Sequence, residues 1–115
     1  MDKTISIDLS GTKTTEQLHA VLKKTFGFPD FYGGNYPALV DCWSSLRYPD
    51  DGMSSVVLDG LEDRLELHVK NLASCPESVV RTVLSAVEAV NHRARLNSLE
   101  ELIVLVLNDL THRGG

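Results

Sequence analysis

The chain has little cysteine, with only Cys42 and Cys75 among 115 residues. Two thiols so far apart form no disulfide framework and no metal or redox spacing, and they read as reduced, mostly buried side chains in a cytoplasmic protein. Long apolar runs are absent too. Leu102–Leu107 is the longest, far short of the roughly 20 residues a membrane helix needs. The start, Met1-Asp2-Lys3-Thr4, lacks a basic flank followed by an apolar stretch, which predicts no signal peptide. Basic charge is in deficit. Eleven Lys and Arg face sixteen Asp and Glu, for a formal charge of −5, which disfavours bare nucleic acid and favours cationic partners. His19, His68, His92 and His112 are scattered, and no HExxH, paired cysteines or clustered carboxylates accompany them, so neither a metal nor another cofactor is expected. Gly33-Gly34 follows no strand and precedes no GK[ST], which excludes a phosphate cradle. Asp30 and Asp41 lack a recognisable substrate pocket, so no enzyme is expected.

What remains is the composition of one soluble globular domain spanning 1–115 with a modest core, at 43% hydrophobic and 23% charged residues. No internal repeat or linker interrupts it. Ile5, Ile7 and Leu9 alternate with polar residues and predict a first strand. Thr14 with Gln17 three residues on resembles a capping box, opening a helix with Leu18, Val21, Leu22 and Phe26 on one face. Lys23 and Lys24 suit its C-terminal end, and Gly27 is a natural stop. Arg47 to Ser54 reads as a surface loop, and Ser55–Leu58 as a short strand-like piece. Arg64–Lys70 alternates and predicts a further strand, able to form a hairpin with that piece. Pro76 opens the longest helix, with Val79, Val80, Val83, Leu84, Val87 and Val90 as its core stripe through about Ala94. Valine is a mediocre helix former, so tertiary burial must stabilise this segment. Leu102–Leu107 does not alternate and predicts a parallel strand covered on both faces. Asn108 to Gly115 is a polar tail, expected to be flexible. The alternation of elements predicts an α/β layer with a mainly parallel sheet and right-handed crossovers.

One stretch stands out. Phe31, Tyr32 and Tyr36, three of the seven Phe, Tyr and Trp residues, crowd around Gly33-Gly34, where glycine permits backbone conformations that side chains forbid. Pro37 suits the first turn of a helix, with Asn35 or Tyr36 as cap and Asn the better capping side chain. Winding Pro37–Leu46 at helical pitch puts Ala38, Leu39, Cys42, Trp43 and Leu46 on a core face. Pro37, Val40, Asp41 and Ser44 then fall on the opposite side. Asp41 has no Lys or Arg within the pattern to pair with it. A carboxylate beside a Gly-rich, aromatic-flanked loop suits a docking surface; an ordinary loop-to-helix joint with a solvated Asp is the plainer reading.

Leu18-His19, Leu22-Lys23-Lys24, Pro29-Asp30-Phe31-Tyr32-Gly33, Asn35, Ala38-Leu39 and Asp41-Cys42 follow one another at a spacing that resembles, without gaps, the barstar family of intracellular ribonuclease inhibitors. The close likeness runs from Leu18 to Cys42, and the order of elements extends it loosely. The resemblance implies a two-layer α/β fold with a small three-stranded, mainly parallel sheet in β-α-α-β-α-β order, with Ser55–Leu58 as a short extra strand before the second. It implies a protein that is no enzyme, with a basic ribonuclease as partner, either barnase-like or another ribonuclease toxin. Direct contact with nucleic acid or membrane is not expected, and the free protein is expected to be a monomer. Asp41 matches the family aspartate that takes the place of an RNA phosphate among the enzyme's cations. Phe31, Gly33, Asn35 and Tyr36 match contact positions, Val40 and Ser44 extend the helix face, and Cys42 matches a cysteine expected to be structural. Pro37 stands where the family has a second interface aspartate, and Val40 where it has an interface tryptophan, with Trp43 three positions on. The acidic contact on the last long helix has no clear match, for Ser85 falls there with Glu88 nearby. These departures point to a different ribonuclease, such as a secreted or contact-delivered toxin to which this chain gives immunity. The alternative is a regulatory or scaffold module that keeps the fold and uses another surface.

Overall fold

The computed structural model describes residues 2–108. The tail expected to be flexible lies, apart from Asn108, outside the described residues. Three strands, β1 (Lys3–Asp8), β2 (Leu65–Lys70) and β3 (Ile103–Leu107), form one parallel sheet in the order β1-β2-β3. Ile5 stands beside Leu67, and Leu67 beside Leu105, so the apolar sets of the three strands share one face. Helices α1 (Thr15–Phe26), α2 (Tyr36–Ser44) and α3 (Glu77–Leu96) complete the α/β order. None of them is long and apolar enough to cross a membrane.

The helix ends follow local chemistry. Thr14 caps α1, its Oγ1 accepting from Gln17 N at 3.0 Å. Gly27 ends it in the left-handed region at φ 65°. In α3 the valines that weaken helix propensity are the ones tertiary packing holds, with Val79, Val83, Val87 and Val90 buried beside Ala86 and Ala94. Leu84 departs from the expected stripe and is 43% exposed. Below these helices Phe26, Phe28 and Trp43 form an aromatic cluster, with ring centroids 5.5 and 5.9 Å from Phe26.

Three other expectations are corrected. Ser55–Leu58 is not a strand. The last carbonyls of a helix have no partner inside it, and this segment supplies one. Ser55 N and Ser54 Oγ donate to Phe26 O at 2.8 and 2.9 Å, and Leu58 N donates to Leu46 O at 2.8 Å. Arg47 is not a surface-loop residue but is 3% exposed. Its guanidinium donates to the carbonyls of Asp63, Glu100 and Glu101 at 2.8, 3.0 and 3.0 Å, joining the end of α2 to the approaches of β2 and β3. Finally, β3 is not covered on both faces. It is an edge strand in which Ile103, on the face shared with Leu65 and Leu67, alone is fully buried, while Val104 to Leu107 are only partly covered. The opposite face carries Ser6, His68 and Val106 in register. Asn91 of α3 fixes the start of β3 by accepting from Leu102 N and Ile103 N and donating to Ile103 O, each at 2.9 Å.

Candidate functional site

The loop before α2 is shaped by what it buries. Pro29 O accepts from Tyr32 N at 2.9 Å and closes a turn. Tyr32 is buried, its ring 4.8 Å from that of Phe28, and its hydroxyl lies 2.5 Å from His19 Nδ1 on α1. Burial pushes the His19 imidazole below its usual range and the Tyr32 phenol above its own. With Phe28 and Tyr32 turned inward, Phe31 between them is turned out and is 73% exposed.

The chain then enters α2. Gly34 adopts φ 63°, which a side chain would resist. Asn35 is the cap, its Oδ1 accepting from Ala38 N at 2.9 Å. A Cβ at Gly33 would lie 2.8 Å from the Asn35 amide nitrogen, so glycine there leaves room for the cap. Tyr36 donates from its hydroxyl to Ser85 O on α3 at 3.1 Å, and Leu84 stands exposed beside this bond.

At about 100° per residue, Leu39, Val40, Cys42, Trp43 and Leu46 fill one arc of α2 and its short 3₁₀ extension, and all five are buried. Val40 is the correction: expected on the outer side, it is 4% exposed. The reason is the packing of α3 along the flank of α2, which widens the buried arc beyond a single stripe. Asp41 lies at the centre of the arc that remains, with Pro37 one turn before it and half-buried Ser44 one turn after it, both displaced toward the same flank. Burial, and then the neighbouring Asp41, hold the Cys42 thiol above its usual range, which suits a structural cysteine.

The expected residues therefore separate. Phe31, Gly33, Asn35, Tyr36, Pro37 and Asp41 are exposed, Ser44 borders them, and Val40 belongs to the core. Sequence reasoning missed Arg93. Its Nη1 donates to Asp41 Oδ1 at 2.9 Å and reaches Ser44 Oγ at 3.4 Å. The two charged side chains are about half exposed. No local signal marks Arg93, because it comes from α3, beyond the whole of β2. Among the described residues no three His, Cys, Asp or Glu side chains gather into a metal site.

This surface presents a carboxylate, a guanidinium, two aromatic rings and a glycine-rich turn, an arrangement that can accept and donate charge-assisted hydrogen bonds to another protein. The family model described as Barstar (barnase inhibitor) matches residues 3–108. No curated protein matches the sequence.

Proposed function

The chain belongs to the barstar family of barnase inhibitors, and from that premise we propose that it blocks a ribonuclease by seating Asp41 in the enzyme's phosphate site. A ribonuclease stabilises phosphate charge with Arg, Lys and His, and an inhibitor carboxylate satisfies the same donors. The observation that carries this reading is the place of Asp41 at the centre of the exposed arc of α2, outside every buried contact of that helix. Phe31, Gly33, Asn35, Tyr36, Pro37 and Ser44 supply contact area around it. The net charge of −5 speeds encounter with a basic enzyme. Val40, being buried, supplies no such contact. In this reading the protein is a single-domain, cytoplasmic immunity protein, a monomer when free, and its target is a basic ribonuclease, barnase-like or another ribonuclease toxin.

The test is RNA cleavage by barnase and by any ribonuclease toxin from the same source, titrated with wild type and Asp41→Ala. Wild type inhibits stoichiometrically. Asp41→Ala loses charge-assisted hydrogen bonds worth about 3 kcal/mol or more, a hundredfold or greater weakening. The fold loses only an exposed ion pair worth at most about 1 kcal/mol. Equal losses of binding and thermal stability would make Asp41 structural. A salt-independent complex insensitive to changes at Phe31, Asn35, Tyr36 and Asp41 would favour the scaffold module instead.

A further inference from the structure

Asp41 is not a bare carboxylate, because the Arg93 guanidinium stands against it at 2.9 Å. If Asp41 enters a cationic active site, Arg93 comes with it. It has two possible fates. An exposed ion pair holds its partners by no more than about fivefold in an equilibrium, so Arg93 can swing away at little cost. It would then be a cation pressed toward the cations of the enzyme, an unfavourable juxtaposition. Alternatively it stays, and its free edge takes an acceptor. Arginine offers five N–H donors in a planar fork. Of the three guanidinium nitrogens of Arg93, only Nη1 has a partner among the described residues. The edge formed by Nε and Nη2 has the geometry that a carboxylate accepts in two parallel bonds.

We propose that Arg93 is a specificity-determining contact, retained beside Asp41 in the complex and received by a carboxylate of the same enzyme site. Asp41 meets the cations that bind the RNA phosphate, and Arg93 meets an Asp or Glu next to them. The partner this selects is a ribonuclease whose general base is a carboxylate. One built on histidines alone offers Arg93 only positive or neutral groups. Ser44 serves as a positioning residue, its Oγ accepting from the nitrogen that Asp41 holds. This inference rests on the reading of Asp41 as a phosphate mimic, and the experiment separates the two.

RNA cleavage by barnase, and by any ribonuclease toxin from the same source, is titrated with wild type, Asp41→Ala, Arg93→Gln and Arg93→Lys. Binding of wild type and Arg93→Gln is then measured by calorimetry on a variant of the inhibited enzyme in which the active-site carboxylate is replaced by its amide, because that enzyme has lost its general base and no longer reports through cleavage. Melting temperatures establish that each inhibitor variant is folded, which the half-exposed position of both side chains favours. The expected result is that Arg93→Gln weakens inhibition at least about tenfold, that Arg93→Lys restores part of it, and that wild type and Arg93→Gln become equal against the amide enzyme. Unchanged or tighter inhibition by Arg93→Gln, with Asp41→Ala still defective, would overturn the role of Arg93 and leave that of Asp41 standing. Inhibition of an enzyme with no active-site carboxylate would do the same. Failure of wild type to inhibit either enzyme would overturn both.

Discussion

Gly27 and Gly52 adopt nearly the same backbone conformation, at φ 65° and 66°, yet alanine at the two positions has different consequences. A Cβ at Gly52 meets nothing within 4 Å. Gly52→Ala therefore carries only the strain of a left-handed alanine, about 1–2 kcal/mol, partly offset by about 0.4–1 kcal/mol from a less flexible unfolded chain. The net loss is about 1 kcal/mol. A Cβ at Gly27 lies 2.3 Å from Ser55 Oγ and 2.6 Å from Ser55 Cβ. Rotating the hydroxyl relieves the first contact and leaves the second, so the backbone at Ser55 must retreat. That movement stretches the bond from Ser55 N to Phe26 O, now 2.8 Å, and strains its companion from Ser54 Oγ. Each such bond contributes about 1 kcal/mol. Gly27→Ala thus costs about 2–4 kcal/mol. At about 4 °C per kcal/mol for a domain of this size, its melting midpoint falls by roughly 8–16 °C, against roughly 4 °C for Gly52→Ala. Thermal melts followed by circular dichroism measure both. Adding Ser55→Gly to Gly27→Ala removes the clash and recovers the difference between the two, leaving the backbone strain. Equal midpoints for Gly27→Ala and Gly52→Ala would refute the reasoning, since only the approach of Ser55 distinguishes them.

Two further outcomes follow from the buried groups around the site. His19 is buried and its pKa is lowered below 6.5 by that burial. The unfolded chain then takes up a proton first as pH falls, so stability is fully present above about pH 6.5 and declines as pH drops from there toward the folded value. The lowered Asp8 and Asp63 carboxyls lose their contributions only below their unfolded value of 3.8, which leaves the higher window to His19. Melting midpoints should fall from pH 7.5 to pH 5, and His19→Gln should flatten that interval; a slope unchanged by His19→Gln would exclude this origin. Val40→Trp restores the family's aromatic residue at a position that is 4% exposed here. It overpacks the core by about 1–3 kcal/mol or more, lowering the melting midpoint without tightening inhibition. A gain in affinity with an unchanged midpoint would contradict the burial of Val40.

The parts of the fold legible in the sequence are those fixed within a few residues. The Thr14 cap, the Gly27 stop, the Asn35 cap with Pro37 behind it and the alternation of Arg64–Lys70 each depend on neighbours the sequence prints side by side. The errors have a common origin in contacts between distant segments. Ser54 looks like the end of a loop and Ser55 like the start of a strand until the carbonyl of Phe26 is known to lie beside them. Arg47 looks like a loop cation until three carbonyls from two other segments surround it. The run Leu102–Leu107 carries enough apolar side chains for two covered faces, but strand order puts it at an edge. Helical pitch placed Asp41 outside correctly. It misplaced Val40 because pitch gives the angle between side chains and not the width of the arc that neighbouring elements cover.

The same limit explains why Arg93 was invisible and why it bears on recognition. Tyr36, at the start of α2, bonds to Ser85, and Asp41, further along, bonds to Arg93. The two helices therefore advance in the same sense along one seam, held by a hydroxyl at one end and an ion pair at the other. Val40 lies one position before Asp41 and is packed into that seam, so the packing that removes it from the surface also carries Arg93 to the carboxylate. This chain sets α2 against α3 so that Val40 is covered and Arg93 reaches the carboxylate of Asp41. On the proposed function, the surface around Asp41 would offer a ribonuclease two opposite charges, and a target that answers only one of them leaves the other desolvated without compensation.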